Sequence, residues 1–392
     1  MRAKKWGKYL LACVALCGML QTGQVAKADT IIDAKPATTT EDPGKVKSTT
    51  EERTEQTTEK KTEQSGGEQA TTENQEAIEE GWNKQKTSYY RDGERVKGVN
   101  EIDGELYFFN ATGILYRKKG MRTLNGKTYY FTKSHTMKTG VVKVNGTAYY
   151  FQTDTGERYE EEGLRKLDKQ YYLFDSEAAL QSGWYRDENQ KRYYFDKRTY
   201  AALKGWNYVG KYKYYFNKKG QLQQDVRKQL KKQSSYLIRV NRTASCVTVY
   251  AKDGVKGYTI PVVAFVCSAG KDTPTGTFYT GIKHRWHELF GPCWGQWTTQ
   301  ITGNILFHSV YYDSYNDNKS LNVSAYNKLG TMASHGCVRL RAGDAKWIYD
   351  NCKDQTKVII YNNKKNPGPF DKPVIEKLSK KHTWDPTDPA FR

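Results

Sequence analysis

"NGKTYYF", Asn125–Phe131, decides the architecture of the first half of this 392-residue chain. An Asn-Gly pair suits a two-residue hairpin turn, because both of its central residues must adopt positive φ. The aromatic run behind it suits a strand of that hairpin. "NGTAYYF" repeats the pattern at Asn145–Phe151, and further aromatic runs start at Tyr107, Tyr171, Tyr193 and Tyr214. Gly98, Gly120, Gly140, Gly163, Gly183 and Gly205 precede these runs at a spacing of 20 to 23 residues. A single hairpin of this size cannot bury its aromatic face, so the copies over residues 81–226 are expected to stack into a solenoid.

Working outward, the composition changes near Gln233. "SYLIRVNR", "CVTVYA", "YTIPVVAFVCS", "GTFYTGI", "NILFHSV" and "KVIIYN" are short β-branched and aromatic runs broken by Gly, Asp and Asn. They predict a mainly β domain, sandwich- or barrel-like, over residues 233–362, with one short helix in "AGDAKWIYDNC", followed by an extension over 363–392. Upstream, residues 29–80 are Thr, Glu, Gln, Lys and Ser with few large apolar side chains, which predicts a disordered linker. Residues 1–28 combine a basic start, the apolar run "YLLACVALCGML" and a small-residue "AKA" site, which predicts a cleaved signal peptide and a secreted chain. That run is too short to span a bilayer, so no transmembrane segment is expected after cleavage.

The formal charge is +20, although residues 29–80 carry 14 acidic and 6 basic side chains, so the remainder is more basic than the total. In an exported protein this excess points to an anionic wall surface, such as one bearing teichoic acid, rather than to nucleic acid. Five of the seven cysteines lie beyond the signal, at 246, 267, 293, 337 and 352. Their sparse spacing does not suit a disulfide framework, and buried free thiols are expected.

Cys337 sits in "SHGCVRL", Ser334–Leu340. A nucleophilic cysteine needs a base and a place for an oxyanion, since little thiolate exists at an ordinary pKa of about 8.5. Gly336 permits close backbone approach, and N–H groups around Gly336 and Cys337 could bind the oxyanion. His335 adjoins the cysteine, whereas His308, at the end of the apolar run "NILFHSV", suits the base better because a strand end can deliver an imidazole into a cleft. Taken alone, a cysteine after glycine in a β domain equally suits a packing residue. "HRWHELFGPCWGQW", His284–Trp297, is read as a lid, and its His-x-x-His-Glu order does not suit a metal site.

"GKDTPTGTFYTG", "NILFHSV" and "SHGCVRL", in that order and followed by a helix, resemble the L,D-transpeptidase catalytic domain of the YkuD family. The resemblance implies that Cys337 is the nucleophile and His308 its base, with the Ser309 carbonyl orienting the imidazole. It further implies that His335 and Gly336 line the oxyanion pocket, that Ser334 shapes the site, and that Arg339 holds a donor-peptide carboxylate. The implied substrate is a peptidoglycan stem peptide, the implied inhibitor a carbapenem, and no cofactor or metal is called for. A hydrolase of the same fold or a non-catalytic wall adhesin are the alternative readings. The 25-residue gap between His308 and Ser334 is longer than usual for the family, and "YYDSYNDNKSLN" within it reads as an inserted surface loop. The hairpin copies resemble choline- and glucan-binding wall repeats, whose aromatic faces hold a cation or sugar. Trp184 with Tyr193 and Trp206 with Tyr214 are the expected ligand cages, for a wall polysaccharide or teichoic acid. Together these resemblances imply a wall-associated protein of a Gram-positive type of bacterium.

Overall fold

The computed structural model describes residues 80–391 and the two-residue strand Ile32–Asp33, which runs parallel to Tyr185–Arg186. The expected signal peptide and most of the expected linker lie outside the described residues.

From Gly98 onward the hairpins recur as the glycine spacing requires, at 98–109, 120–131, 140–151, 163–174, 183–195 and 205–216, after a shorter copy that starts at Gly81. Asn125 and Gly126 adopt φ of 52° and 76°, and Asn145 and Gly146 50° and 88°, the positive values that a right-twisted hairpin demands of both turn residues. The chain leaving each hairpin then donates a backbone hydrogen bond to the hairpin before it: Met137 N–H to Leu106 O, Arg158 to Thr128 O, Leu180 to Ala148 O, Ala202 to Tyr171 O and Leu222 to Arg192 O. These bonds stitch the stack. The last residue of each aromatic run, Phe109, Phe131, Phe151, Phe174, Phe195 or Phe216, is at most 2% exposed and forms the inner column. Burying each such ring contributes roughly 1.5–3 kcal/mol, which no isolated hairpin could obtain.

The C-terminal domain is built from two sheets around one core. Strands β1 (Tyr236–Asn241), β2 (Cys246–Ala251), β3 (Ile260–Val266), β4 (Gly276–Tyr279) and β9 (Lys357–Tyr361) form the first, in the order β3-β2-β1-β9-β4, with only β1 and β9 parallel. The second, β5-β6-β7-β8, comprises β5 (Lys283–Glu288), β6 (Trp294–Thr302), β7 (Ile305–Ser309) and β8 (Val338–Leu340), with β7 and β8 parallel. Helix α1 (Val323–Tyr326) lies between β7 and β8, and α2 (Ala342–Asn351) follows β8. Ile238, Val249, Phe265, Ile301, Phe307, Val338 and Leu340 from both sheets meet Ala345 and Ile348 of α2 in the shared core. The architecture is the mainly β one expected, with a short helix after Cys337.

Packing continues across the junction between the two parts. Val226, fully buried, donates its N–H to Val262 O on β3 and belongs to the C-terminal core. Tyr214 and Phe216 of the last hairpin pack with Cys246, Ala264 and Phe370.

The expected surface loop after His308 is exposed over residues 313–317 but is anchored in the protein at both ends. Tyr312 is completely buried, Leu321 nearly so, and both join Val310, Ala325, Tyr326 and Leu329 in a satellite core. The polar middle of the segment hid the apolar residues at its two ends. The extension at the C-terminus secures it: Thr383 O accepts from Leu321 N–H, and buried Asp388 accepts from Asn318 Nδ2 and Gln296 Nε2. Among the described residues no helix is long and apolar enough to cross a membrane.

Candidate active site

Strand alternation sends Phe307 of β7 and Val338 and Leu340 of β8 into the core. Their neighbours Leu306, His308, Cys337 and Arg339 therefore share the opposite face, where all four line a cleft of about 600 Å³. The parallel register places His308 opposite Arg339 and Phe307 opposite Val338. Cys337 lies at the bend that enters β8, level with Leu306.

His308 is 2% exposed, and its Nδ1 donates to Ser309 O at 2.6 Å, which leaves Nε2 as the acceptor. Burial, reinforced by the nearby Arg339 charge, pushes its pKa down to about 3, although the Ser309 hydrogen bond opposes the shift. The imidazole is neutral at ordinary pH, with the Nε2 lone pair open to a proton, although the same burial makes it a weak base. Room for it comes from Gly295 on β6, where a Cβ would lie 3.1 Å from His308 Nδ1.

Cys337 donates its thiol to Asn304 O at 3.5 Å. Burial pushes this thiol up, while a hydrogen bond from the Leu306 backbone and the Arg339 charge pull it back. Cys246, Cys267 and Cys352 are buried free thiols; burial pushes Cys246 up to about 11 and Cys352 up to about 12. Cys293 and Cys337 are the exceptions to the expected burial: both are half-buried and both line the cleft.

The Ser334–Cys337 turn is held from both sides. Ser334 Oγ donates to Cys337 O at 2.6 Å, and Thr273 Oγ1, fully buried, donates to Gly336 O at 2.6 Å while accepting Gly270 N–H at 2.8 Å. Gly270 is there of necessity, since a Cβ would sit 2.3 Å from His335 O. Among the described residues, the Gly336 and Cys337 N–H groups find no hydrogen-bond acceptor. His335 is exposed, in a bend, with its ring edge-on to Phe290 at 6.0 Å. Arg339 donates to Ala333 O at 3.0 Å and lies over the Tyr311 ring at 5.1 Å.

The segment expected as a lid is the β5–β6 hairpin, whose tip residues Leu289, Phe290 and Cys293 line the cleft. His284 and His287 lie on a strand here, with their rings stacked at 4.9 Å. Burial first, then the neighbouring His284, lowers the His287 pKa. Among the described residues no group of three His, Cys, Asp or Glu side chains could hold a metal.

The structure thus gathers Cys337, His308, Ser309, Ser334, His335, Gly336 and Arg339 at one place. Thr273, Gly270, Gly295 and Tyr311 were not singled out by sequence reasoning. The "TPTG" and "WGQW" segments were the signals, since a Thr-Pro pair beside glycines and a glycine between tryptophans suit close packing.

The expected ligand cages are arranged differently. Trp184 meets Tyr214 of the next hairpin edge-on at 5.3 Å, while Tyr193 packs on Tyr185 and Phe195 within its own hairpin. The Trp184 face is covered by the Arg192 guanidinium at 4.5 Å. Trp206 packs on Tyr215 and against the C-terminal core.

Fold and cleft define a two-part protein, an aromatic hairpin solenoid joined to a two-sheet domain with a cysteine and a histidine in one cleft. The chain carries an L,D-transpeptidase catalytic domain of the YkuD family, matched over residues 235–360, preceded by choline-binding repeats matched over 118–162. The protein of Bacillus subtilis (strain 168) named "Putative L,D-transpeptidase YciB" is 37% identical over 119 residues, 28% of this chain and 59% of that relative. The shared region therefore spans less than two thirds of the relative. Among solved structures, choline binding protein F from Streptococcus pneumoniae is 30% identical over 33% of this chain and 43% of its own, with a TM-score of 0.25. CbpJ from Streptococcus pneumoniae TIGR4 is 28% identical over 37% of this chain and 52% of its own, with a TM-score of 0.27.

Proposed function

We propose that the protein is a secreted, wall-targeted L,D-transpeptidase that forms 3→3 cross-links in peptidoglycan through an acyl-enzyme on Cys337. The observation that carries this reading is the neutral His308, tethered through Nδ1 to Ser309 O, on the cleft face beside the strand that Cys337 enters.

In the first half-reaction His308 Nε2 takes the Cys337 proton as Sγ attacks the carbonyl between stem residue three and the terminal D-Ala. The Gly336 and Cys337 N–H groups receive the oxyanion. The C–N bond then breaks, the proton passes from His308 to the departing D-Ala amine, and a thioester remains. In the second, a side-chain amine of another stem attacks the thioester, loses its proton to His308, and the C–S bond breaks to restore the thiol. The Arg339 charge favours the Cys337 thiolate but disfavours the imidazolium that forms on His308, so its aid is to the nucleophile and not to the base, and its guanidinium suits the donor-peptide carboxylate. The sequence of steps is redox-neutral and draws on no cofactor.

Residues 1–28 direct export, 29–80 tether, and the hairpins over 81–226 hold wall polymer near the 233–362 domain, raising the local substrate concentration so that an amine acceptor outcompetes water. The test is mass spectrometry of digested walls incubated with the purified protein. It should yield 3→3 dimers that disappear with Cys337→Ala; accumulation of tripeptides without dimers would make the enzyme a hydrolase, and dimers from the alanine variant would refute the assignment.

A further inference from the structure

We propose that the junction between the last two hairpins and the catalytic domain is a second binding site, one that takes a phosphate-bearing polyol or sugar unit of an anionic wall polymer. The proposal rests on the wall-targeted reading above and adds to it the place and the charge of the ligand. A cavity of about 500 Å³ opens there, separate from the Cys337 cleft. Tyr212 and Tyr214 of the last hairpin form one wall, Arg239 on β1 and Tyr361 on β9 another, and the 363–371 segment closes it.

Its charge is one-sided. Arg192, Lys211, Arg239 and Lys365 line it, against the single carboxylate of Asp371. That carboxylate is already committed to Arg186 at 2.9 and 3.2 Å, to Gln224 Nε2 at 2.7 Å and, at 3.5 Å, to Arg192 of the lining itself. Among the described residues, Lys211, Arg239 and Lys365 have no ion pair. Arg239 Nε is shielded from water yet has no acceptor, and the same holds for Nε of Arg192, which is only 8% exposed. A nitrogen shielded in this way is as far from a ligand as from water; the groups an oxyanion would meet are the Lys211 and Lys365 ammonium groups and the Arg239 guanidinium, all in the cavity lining and none in an ion pair.

The aromatic residues argue in the same direction. A cation–π site on Trp184 would suit a cationic ligand, but Arg192 already covers that face at 4.5 Å, so an incoming cation would meet like charge. A lone carboxylate is satisfied by one guanidinium fork. Four cations distributed over two hairpins, a strand and a loop suit instead a phosphate with several oxygens, and the half-buried Tyr212 and Tyr361 rings in the cavity walls border the attached polyol or sugar.

The experiment is calorimetric titration of the full chain with glycerol 3-phosphate, inorganic phosphate, acetate and choline, each up to about 10 mM, where a site of ~1 mM affinity registers. Glycerol 3-phosphate should bind more tightly than inorganic phosphate or acetate, more weakly as salt rises, and without competition from choline. Arg239→Gln with Lys365→Gln should weaken it at least ~10-fold, with Lys365→Gln alone, on an exposed loop, giving an intermediate loss. No binding of glycerol 3-phosphate, equal binding by the double variant, or displacement by choline would overturn the proposal. Sedimentation with wall sacculi separates the two readings: equal binding to sacculi stripped of phosphopolymer would overturn the site while leaving wall targeting intact. Acylation of Cys337 by a tetrapeptide donor, measured on the same preparation, reads the enzymatic assignment independently.

Discussion

Replacing Thr273 by Val tests whether the Ser334–Cys337 turn is held from beneath. Valine keeps the shape of threonine and removes the hydroxyl. The change leaves Gly270 N–H without its acceptor and Gly336 O without its donor, in a position with no access to water. Each unsatisfied buried group costs about 1–3 kcal/mol, so the variant should lose roughly 2–6 kcal/mol. At a urea dependence of about 2 kcal/mol/M, a loss of ~3 kcal/mol moves the unfolding midpoint down by about 1.5 M. Thr273→Ser retains the hydroxyl and gives up one methyl, at about 1 kcal/mol. Urea titration of both variants is the assay, accompanied by the rate of Cys337 acylation, which should fall in the valine variant because Gly336 is no longer anchored. A valine variant that unfolds with the serine one and acylates at the wild-type rate would refute the argument.

Three further outcomes are expected. His308 has a folded pKa of about 3 against about 6.5 when unfolded, so the unfolded chain binds a proton that the native one does not between those values. Stability should therefore be complete above pH 6.5 and decline as pH falls toward 3; His308→Gln should lose about 2 kcal/mol less than wild type between pH 6.5 and 5 in urea titrations, and equal losses would contradict the burial argument. Arg339→Met should move the pH inflection of Cys337 alkylation by iodoacetamide upward, since the guanidinium charge that lowers the thiol pKa is gone; an unchanged or lower inflection would show that Arg339 does not act on the thiol. Gly270→Ala, which would drive a Cβ to 2.3 Å from His335 O, should fail to give a native catalytic domain by circular dichroism and proteolysis, and a wild-type melt would mean that the close approach is mistaken.

The solenoid was legible in the sequence because its signals are local. Asn125–Gly126 and Asn145–Gly146 specify the turn, the alternation along "KTYYF" specifies the buried ring, and the glycine period specifies the stacking. The Cys337–His308 pair became legible through the order of three segments, while its geometry depends on a parallel register between β7 and β8 that no local pattern announces. What stayed hidden depends on distant partners. Thr273 matters because it reaches Gly336, 63 residues away, and Asp388 because it reaches Gln296, 92 residues away. The Trp184 site shows the same limit: its residue types suit a cage, but only the fold places Arg192 on the ring.

Intact-mass analysis of the full chain incubated with a disaccharide-tetrapeptide tests the central claim most directly. The mass should rise by the donor minus its terminal D-Ala, located on Cys337 by peptide mapping, slowed by His308→Gln and lost with Cys337→Ala. A donor adduct that persists in Cys337→Ala, or a wild-type protein that acquires none while converting the donor, would contradict it.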